Sequence, residues 1–370
     1  MSERQMTVEQ LVFEELKRVK AEFSNANILV AGKTGVGKST LINAVFHGEL
    51  AKTGLGKPIT QNIEKHSKFG IPINIYDTKG LEMENYKETL HQLTEHIEKL
   101  RAMDAEEHIH LAWICVAESS ARFEDGEKNL IELLNKYNIP VVIVLTKASK
   151  KNPPFKEELH KLIGNKVKDI VAISATGEEL EDDDGNIITS KPKGLKDLIS
   201  ISYYLIPEGK QLAFVTAQKI SLELKKEKVG TIIKLASGTA AAAATSPIPF
   251  SDSALIIPIQ VGMIVKITMT YGIALEKGAI AALASSVVGC TATTTVGRSI
   301  AGNLLKFVPG LGTVAGDVIN ASVASALTIG LGELYNKIIL EVYAEALNNN
   351  LTEISVDDII NKMAHEWKNK

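Results

Sequence analysis

Residues 32–40 read Gly-Lys-Thr-Gly-Val-Gly-Lys-Ser-Thr. They follow the apolar run Asn27-Ile-Leu-Val-Ala31 and precede Leu41-Ile-Asn-Ala-Val-Phe46, whose apolar residues recur at helical spacing. A buried strand, a glycine-rich turn and a helix in that order confine this half of the chain to an α/β layer architecture. The same context turns G-x-x-x-x-G-K-[ST] from a text match into a phosphate site. Gly32, Gly35 and Gly37 free the backbone, so successive amides through Lys33, Thr34, Val36 and Thr40 can converge on an oxyanion. The helix start adds its positive dipole end at the same point. Lys38 is placed to reach β- and γ-phosphates, and the Ser39 hydroxyl to ligate Mg2+.

Downstream, Thr53-Gly-Leu-Gly-Lys-Pro-Ile-Thr60 is polar, glycine-rich and aperiodic, as a nucleotide-sensing loop would be. Thr60 is the candidate for the threonine that senses γ-phosphate and magnesium, with Thr53 as the alternative. Ile63–Phe69 and Ile71–Tyr76 predict two strands, and the tight turn at Gly70 between them forces antiparallel pairing. The second runs into Asp77-Thr-Lys-Gly80. A carboxylate at the end of a buried strand is placed to hold magnesium through water, and Gly80 can bring its amide to the γ-phosphate. Helices over Glu84–Arg101, Asp125–Tyr137, Phe155–Ile163 and Leu195–Leu205 then alternate with strands Ile109–Val116, Val141–Thr146 and Val167–Ser174. Such aliphatic strands between helices predict a mostly parallel sheet with one antiparallel edge strand, binding ligands at its carboxyl ends.

The order Gly32–Ser39, Thr60, Asp77–Gly80, Thr146-Lys147, Ser174-Ala175 resembles the five motifs of a translation-factor-class GTPase of the Era- and septin-like kind. The resemblance covers residues up to 206. It implies an α/β P-loop GTPase domain that binds GTP and GDP with Mg2+, the metal held by Ser39, Thr60 and Asp77. Lys38, Thr60 and Gly80 would act at the γ-phosphate while water attacks it. Lys147 would stack along the guanine plane, and Ser174-Ala175 would meet the base from the other side.

Two departures from that family pattern bear on function. Where the base-reading motif carries aspartate, this chain reads Thr146-Lys-Ala-Ser149, and serine cannot make the charged bidentate contact to guanine. Losing such a contact costs about 1.5–3 kcal/mol, or roughly one to two decades of affinity. Leu81 follows Gly80 where the Ras-like branch has a water-positioning glutamine, so slow intrinsic turnover is expected. Gly35 stands where some members recruit potassium through asparagine, and potassium activation is not expected. Arg122 is read as a surface arginine rather than a finger reaching across a dimer.

The net charge of -3 gives no reason to expect nucleic acid as a partner. Two cysteines, Cys115 and Cys290, argue against a disulfide framework and suit a reducing cytosol. The polar opening Met1-Ser-Glu-Arg-Gln does not read as a secretory signal, so a cytoplasmic location is expected. His108 and His110 lack acidic or thiol partners at ligand spacing, and the acidic run 178–186 is read as a solvated turn, not a calcium loop.

The second half differs in composition. An amphipathic helix over 1–26, opened by Thr7, is followed by the nucleotide domain (27–206) and a long linking helix (207–228). An all-α apolar domain over 229–346 and a C-terminal helix over 347–370 complete the chain. Gly278–Gly297 is uncharged and long enough to span a bilayer, but its Ser/Thr content and Lys266 in the preceding segment favour a soluble bundle. Membrane apposition is the alternative. Gly310-Leu-Gly-Thr-Val-Ala-Gly316 is read as a helix-entry turn, not a dinucleotide site. The segments around Ile248–Ser253, Ile256–Gln260 and Lys306–Gly312 make this half similar to an uncharacterised bacterial helical domain of unknown function.

The expectation is a GTP-binding switch whose nucleotide state acts on the helical domain. Partners would be a homodimer, an unidentified protein or a peripheral membrane surface. The rivals are a membrane-associated dynamin-like or tethering GTPase and a pseudo-GTPase interaction module.

Overall fold

The computed structural model describes residues 10, 13–15, 17–19, 24–48, 50–51, 57–58, 63–68, 70–78, 86–177, 179–181, 187–189, 191–244, 252–273, 321–348 and 356–368. The chain divides into two compact units, Phe23–Leu224 on one side and Met1–Glu22 with Lys225–Lys370 on the other.

The first unit is built on strands β1 (Ala26–Ala31), β2 (Lys57–Pro58), β3 (Ile63–Lys68), β4 (Ile71–Thr78), β5 (Leu111–Ala117), β6 (Val141–Thr146) and β7 (Asp169–Ala172). They form one sheet in the order β2-β3-β4-β1-β5-β6-β7. From β4 to β7 all neighbours are parallel. Only β3 runs against them, turned back at Gly70, whose φ of +85° suits glycine. The two-residue β2 pairs outside β3, so the antiparallel strand is not itself the edge. Strand β7 is shorter than the predicted Val167–Ser174, because Ser174 leaves the ladder to exchange two backbone hydrogen bonds with Lys193.

The period-two alternation of each strand divides the core. Ile28, Val30, Ile73, Trp113 and Val144 face helices α1 (Lys38–Val45), α5 (Leu195–Leu205) and α6 (Glu208–Ala217). Leu29, Ala31, Ile114 and Ile143 face α2 (Tyr86–Arg101), α3 (Asp125–Lys136) and α4 (Pro154–Ile163). Trp113 is fully buried, stacked on Phe46 at 5.8 Å between ring centroids, and its Nε1 donates to Ser202 Oγ at 3.0 Å.

The helical pattern from Glu208 to Lys228 predicts one helix, but the structure breaks it. Helix α6 stops at Ala217 and α7 (Leu222–Ala244) begins after a four-residue turn. The cause is Gln218, fully buried and extended: its Oε1 accepts from the amides of Ile220 and Ser221, and its Nε2 donates to Ser221 O. Phe46 and Gln218 form a bridge in which His47 N donates to Ala217 O and Lys219 N to Val45 O. The end of α1 and the start of α7 are thus tied to one buried glutamine. The acidic run, read as a turn, joins a short hairpin of β8 (Glu179–Glu181) and β9 (Ile187–Thr189).

The second unit holds the rest of α7 with α8 (Asp252–Thr270), α9 (Ala321–Asn348) and α10 (Val356–Lys368). Described residues between 10 and 19 are helical. Helix α8 continues through Pro258 rather than ending there. Helices α8 and α9 are joined by Tyr335 to Thr268 at 2.7 Å and Gln260 Nε2 to Thr328 Oγ1 at 3.3 Å. Close packing shows at Gly332, where a Cβ would stand 2.7 Å from Ile233 Cγ1. In α10, Val356, Ile359 and Met363 lie on one face and are buried. Gly278–Gly297, Gly310–Gly316, Cys290 and the Thr7 cap lie outside the described residues.

Lys225 is buried in this unit and donates from Nζ to Thr270 O at 2.7 Å, capping α8. Burial pushes its ammonium down to about 7. Between that value and the usual lysine range, the unfolded chain binds the extra proton, so stability rises with pH. The slope from this group is at most about 1.4 kcal/mol per pH unit. Urea titrations of wild type between about pH 7 and 9 should show this rise. Lys225→Met should flatten it, and an equal slope in the variant would contradict the assignment.

Candidate functional site

Strand β1 leaves the centre of the sheet at Ala31 and enters residues 32–37, which lead into α1. At Gly32 the φ is +150°, and a Cβ there would stand 2.4 Å from the Cys115 carbonyl oxygen of the neighbouring β5. Glycine is therefore required for the loop to pass. Gly37 caps α1 in the left-handed region (φ +101°), and the first intrahelical bond is Leu41 N to Gly37 O at 2.9 Å. The amides of Lys38, Ser39 and Thr40 precede that bond and have no acceptor within the helix, the arrangement that receives an oxyanion. Lys38 folds back over the loop, donating from Nζ to Gly32 O at 2.8 Å and Lys33 O at 3.1 Å. Its ammonium is held where phosphates would lie.

Asp77 pairs with Val30 in the β1–β4 register, which brings the carboxyl end of β4 beside the loop, and it is only 7 % exposed. The Cys115 thiol lies beneath: burial pushes it up to about 12, with Lys38 lowering and Asp77 raising it. The thiol is neutral at physiological pH and takes no part as a nucleophile. The hydroxyl of Ser39 and the carboxylate of Asp77 are hard oxygen donors, the set that suits Mg2+ alongside phosphate oxygens. Thr60, Gly80, Thr53 and Leu81 lie outside the described residues.

The base-side loops meet the phosphate loop directly. Thr146 Oγ1 donates to Val36 O at 2.5 Å, and Lys147 Nζ donates to Gly35 O at 2.9 Å. Lys147 takes φ +56°, an unusual conformation for a side-chain-bearing residue and one that clusters at functional sites. Ala148 N donates to Ile173 O at 2.9 Å, joining this loop to the Ser174-Ala175 turn. Ser174 is buried and its Oγ donates to Thr176 O at 2.6 Å. Ser149 is exposed, with its carbonyl 3.5 Å from Lys193 Nζ.

The structure also brings in Glu124, which sequence reasoning did not single out. Lys33 Nζ pairs with its carboxylate at 2.5 Å, and Glu124 and Glu127 form a capping box on α3. The spacing Glu124-x-x-Glu127 before a helical run signals the cap, but nothing in the sequence announces the partner in the phosphate loop. Arg122 is exposed after Ala121, itself in the left-handed region at φ +43°.

Ser149→Asp restores the carboxylate expected by the family pattern. The variant should bind GTP roughly ten- to a hundredfold more tightly and leave ATP affinity unchanged, the gain expected of a charge-assisted contact. Parallel titrations of both nucleotides check this, and equal gains for both would refute a base-reading role.

Comparison with known families matches residues 27–147 to the 50S ribosome-binding GTPase family and residues 208–363 to a domain of unknown function, DUF697. Magnetosome membrane protein 22 of Magnetospirillum gryphiswaldense is 35% identical over 102 residues, covering 26% of this chain and 50% of that protein. GTPase Era of Synechocystis is 27% identical over 152 residues, covering 39% of this chain and 44% of its own. The chain thus spans half or less of the length of these curated relatives. Among solved structures, a probable GTP-binding protein engB aligns at 20% identity and a TM-score of 0.34, over 49% of this chain and 98% of its own.

Proposed function

We propose that this chain, which joins a domain of the 50S ribosome-binding GTPase family to a DUF697 domain, is a GTP-binding switch with slow magnesium-dependent hydrolysis. The observation that carries the reading is the seating of Thr146 and Lys147 on the phosphate-loop carbonyls of Val36 and Gly35. One constellation then serves both the phosphates and the base. Loop amides and Lys38 bind the β- and γ-phosphates, and Ser39, Thr60 and Asp77 hold the metal. Bound Mg2+ would neutralise charge developing on the phosphate oxygens. Lys38 is the group of this chain that meets the same charge from the loop side. Ser149 and Leu81 argue for modest base selectivity and slow turnover.

The switch reading includes coupling to the helical unit. Its support is the Gln218 turn, which ties the end of α1 to the start of α7. Limited proteolysis should give different cleavage patterns with GDP and with a non-hydrolysable GTP analogue; identical patterns would count against coupling. Single-turnover assays should show slow phosphate release that requires Mg2+. Bound but unreacted GTP in magnesium would favour the interaction-module reading instead.

Membrane association is a second reading, favoured by α9: Ala321–Glu345 is long and apolar enough to cross a bilayer. Of its most apolar window, 61% is buried within the structure, which suits a core helix. Sedimentation with membranes after carbonate washing would favour the membrane reading, and a wholly soluble fraction the core helix.

A further inference from the structure

At the amino-terminal edge of the sheet, the end away from the phosphate loop, lies a cavity of about 590 Å³. Its apolar lining includes Ile97, Ile109 and Ile139, and its polar lining is Arg101, Glu106, His108, His110, Asn138 and Lys210. None of these residues belongs to the nucleotide site.

His110 is 7 % exposed, and its Nδ1 accepts the Asn27 amide at 2.9 Å. A neutral ring that accepts at Nδ1 carries its proton on Nε2. Burial, and then the charge of Lys210, push this histidine down to about 4, so the ring is neutral under ordinary conditions. No hydrogen-bond partner for Nε2 is present among the described residues. The ring is nine-tenths buried as a whole, and this N–H opens on the cavity, where a ligand or water can accept it.

The charge balance points the same way. Lys210 is buried but compensated, held by Ser24 Oγ at 2.7 Å and by the Glu106 carboxylate. Arg101 donates to Tyr137 O at 2.9 Å and lies over the Tyr137 ring, and no carboxylate among the described residues pairs with it. The wall thus carries one cation in excess beside a neutral N–H donor and an apolar floor. Pockets of this size and make-up take small molecules whose few polar groups meet convergent donors.

We propose that this cavity binds a small organic anion, a carboxylate or phosphate ester on an apolar body, with its oxyanion held by Arg101 and His110. The apolar body lies against Ile97, Ile109 and Ile139. The proposal is independent of the nucleotide reading.

The test is methyl NMR of the full chain titrated with benzoate, phenyl phosphate and benzyl alcohol. At least one anion should shift the Ile97, Ile109 and Ile139 methyls saturably, leaving Ile42 in α1 unmoved, and the neutral alcohol should not. The two anions distinguish carboxylate from phosphate ester. Arg101→Gln, an exposed substitution, should weaken the effective anion roughly tenfold or more, as expected for losing a charge-assisted contact. Unchanged methyl positions elsewhere would confirm that the variant is folded. Silence with both anions, equal binding of benzyl alcohol, or indifference to Arg101→Gln would each overturn the proposal.

Discussion

Lys38→Ala should lower GTP and GDP affinity roughly a hundredfold or more. The ammonium would meet both phosphates, and each charge-assisted hydrogen bond contributes about 1.5–3 kcal/mol. In the structure its acceptors are backbone carbonyls of the loop itself, those of Gly32 and Lys33. Thermal stability without nucleotide should therefore change little, while the stabilisation conferred by added GTP disappears. Gly32→Ala should lose binding for a different reason, since its Cβ would force the loop away from Cys115 O. Calorimetry and thermal shift together separate the two: Lys38→Ala loses ligand response alone, and Gly32→Ala loses basal stability as well. Near wild-type affinity in Lys38→Ala would remove the lysine from the phosphate site.

Trp113→Ala should destabilise the nucleotide unit by about 3–5 kcal/mol. Trp113 is fully buried, stacked on Phe46, which in turn meets the Phe214 ring edge-on at 6.2 Å. Truncation would leave a large cavity beneath α1 and strip the Ser202 hydroxyl of the indole N–H. Trp113→Phe keeps most of the apolar volume and should cost distinctly less. Urea unfolding measures both, and a loss under about 1 kcal/mol in Trp113→Ala would mean that the core under α1 collapses to fill the space.

The parallel strands were legible because β1, β5 and β6 are nearly unbroken apolar runs, and the helices between them each carry one apolar stripe. Gly70 and the short connection around it announced β3, the strand that runs backwards in the main sheet. Where the sequence misled, a single buried polar side chain had overridden a periodic pattern. The 208–228 stretch keeps its helical spacing across Gln218, and nothing local reveals that this amide is occupied by the backbone of Ile220 and Ser221. Local propensity sees the helix; the bridge to Phe46 is long-range and invisible to it.

The same distinction holds at the candidate site. The loop 32–40 and Asp77 stand out because their chemistry is written in consecutive residues. The pairing of Lys33 with Glu124 joins residues on separate elements, and only the sheet order β1–β5 brings them together. Sequence spacing offers His110 no metal partners; its environment, a cavity wall and the Asn27 amide, depends on the fold rather than on spacing.

The most direct measurement is calorimetric titration of the purified chain with GTP, GDP and ATP in the presence of Mg2+. Both guanine nucleotides should bind saturably and ATP at least roughly tenfold more weakly, the margin left to a base site without its carboxylate. Equal affinity for adenine and guanine nucleotides, or no binding of either, would contradict the assignment of this site to a guanine-nucleotide switch.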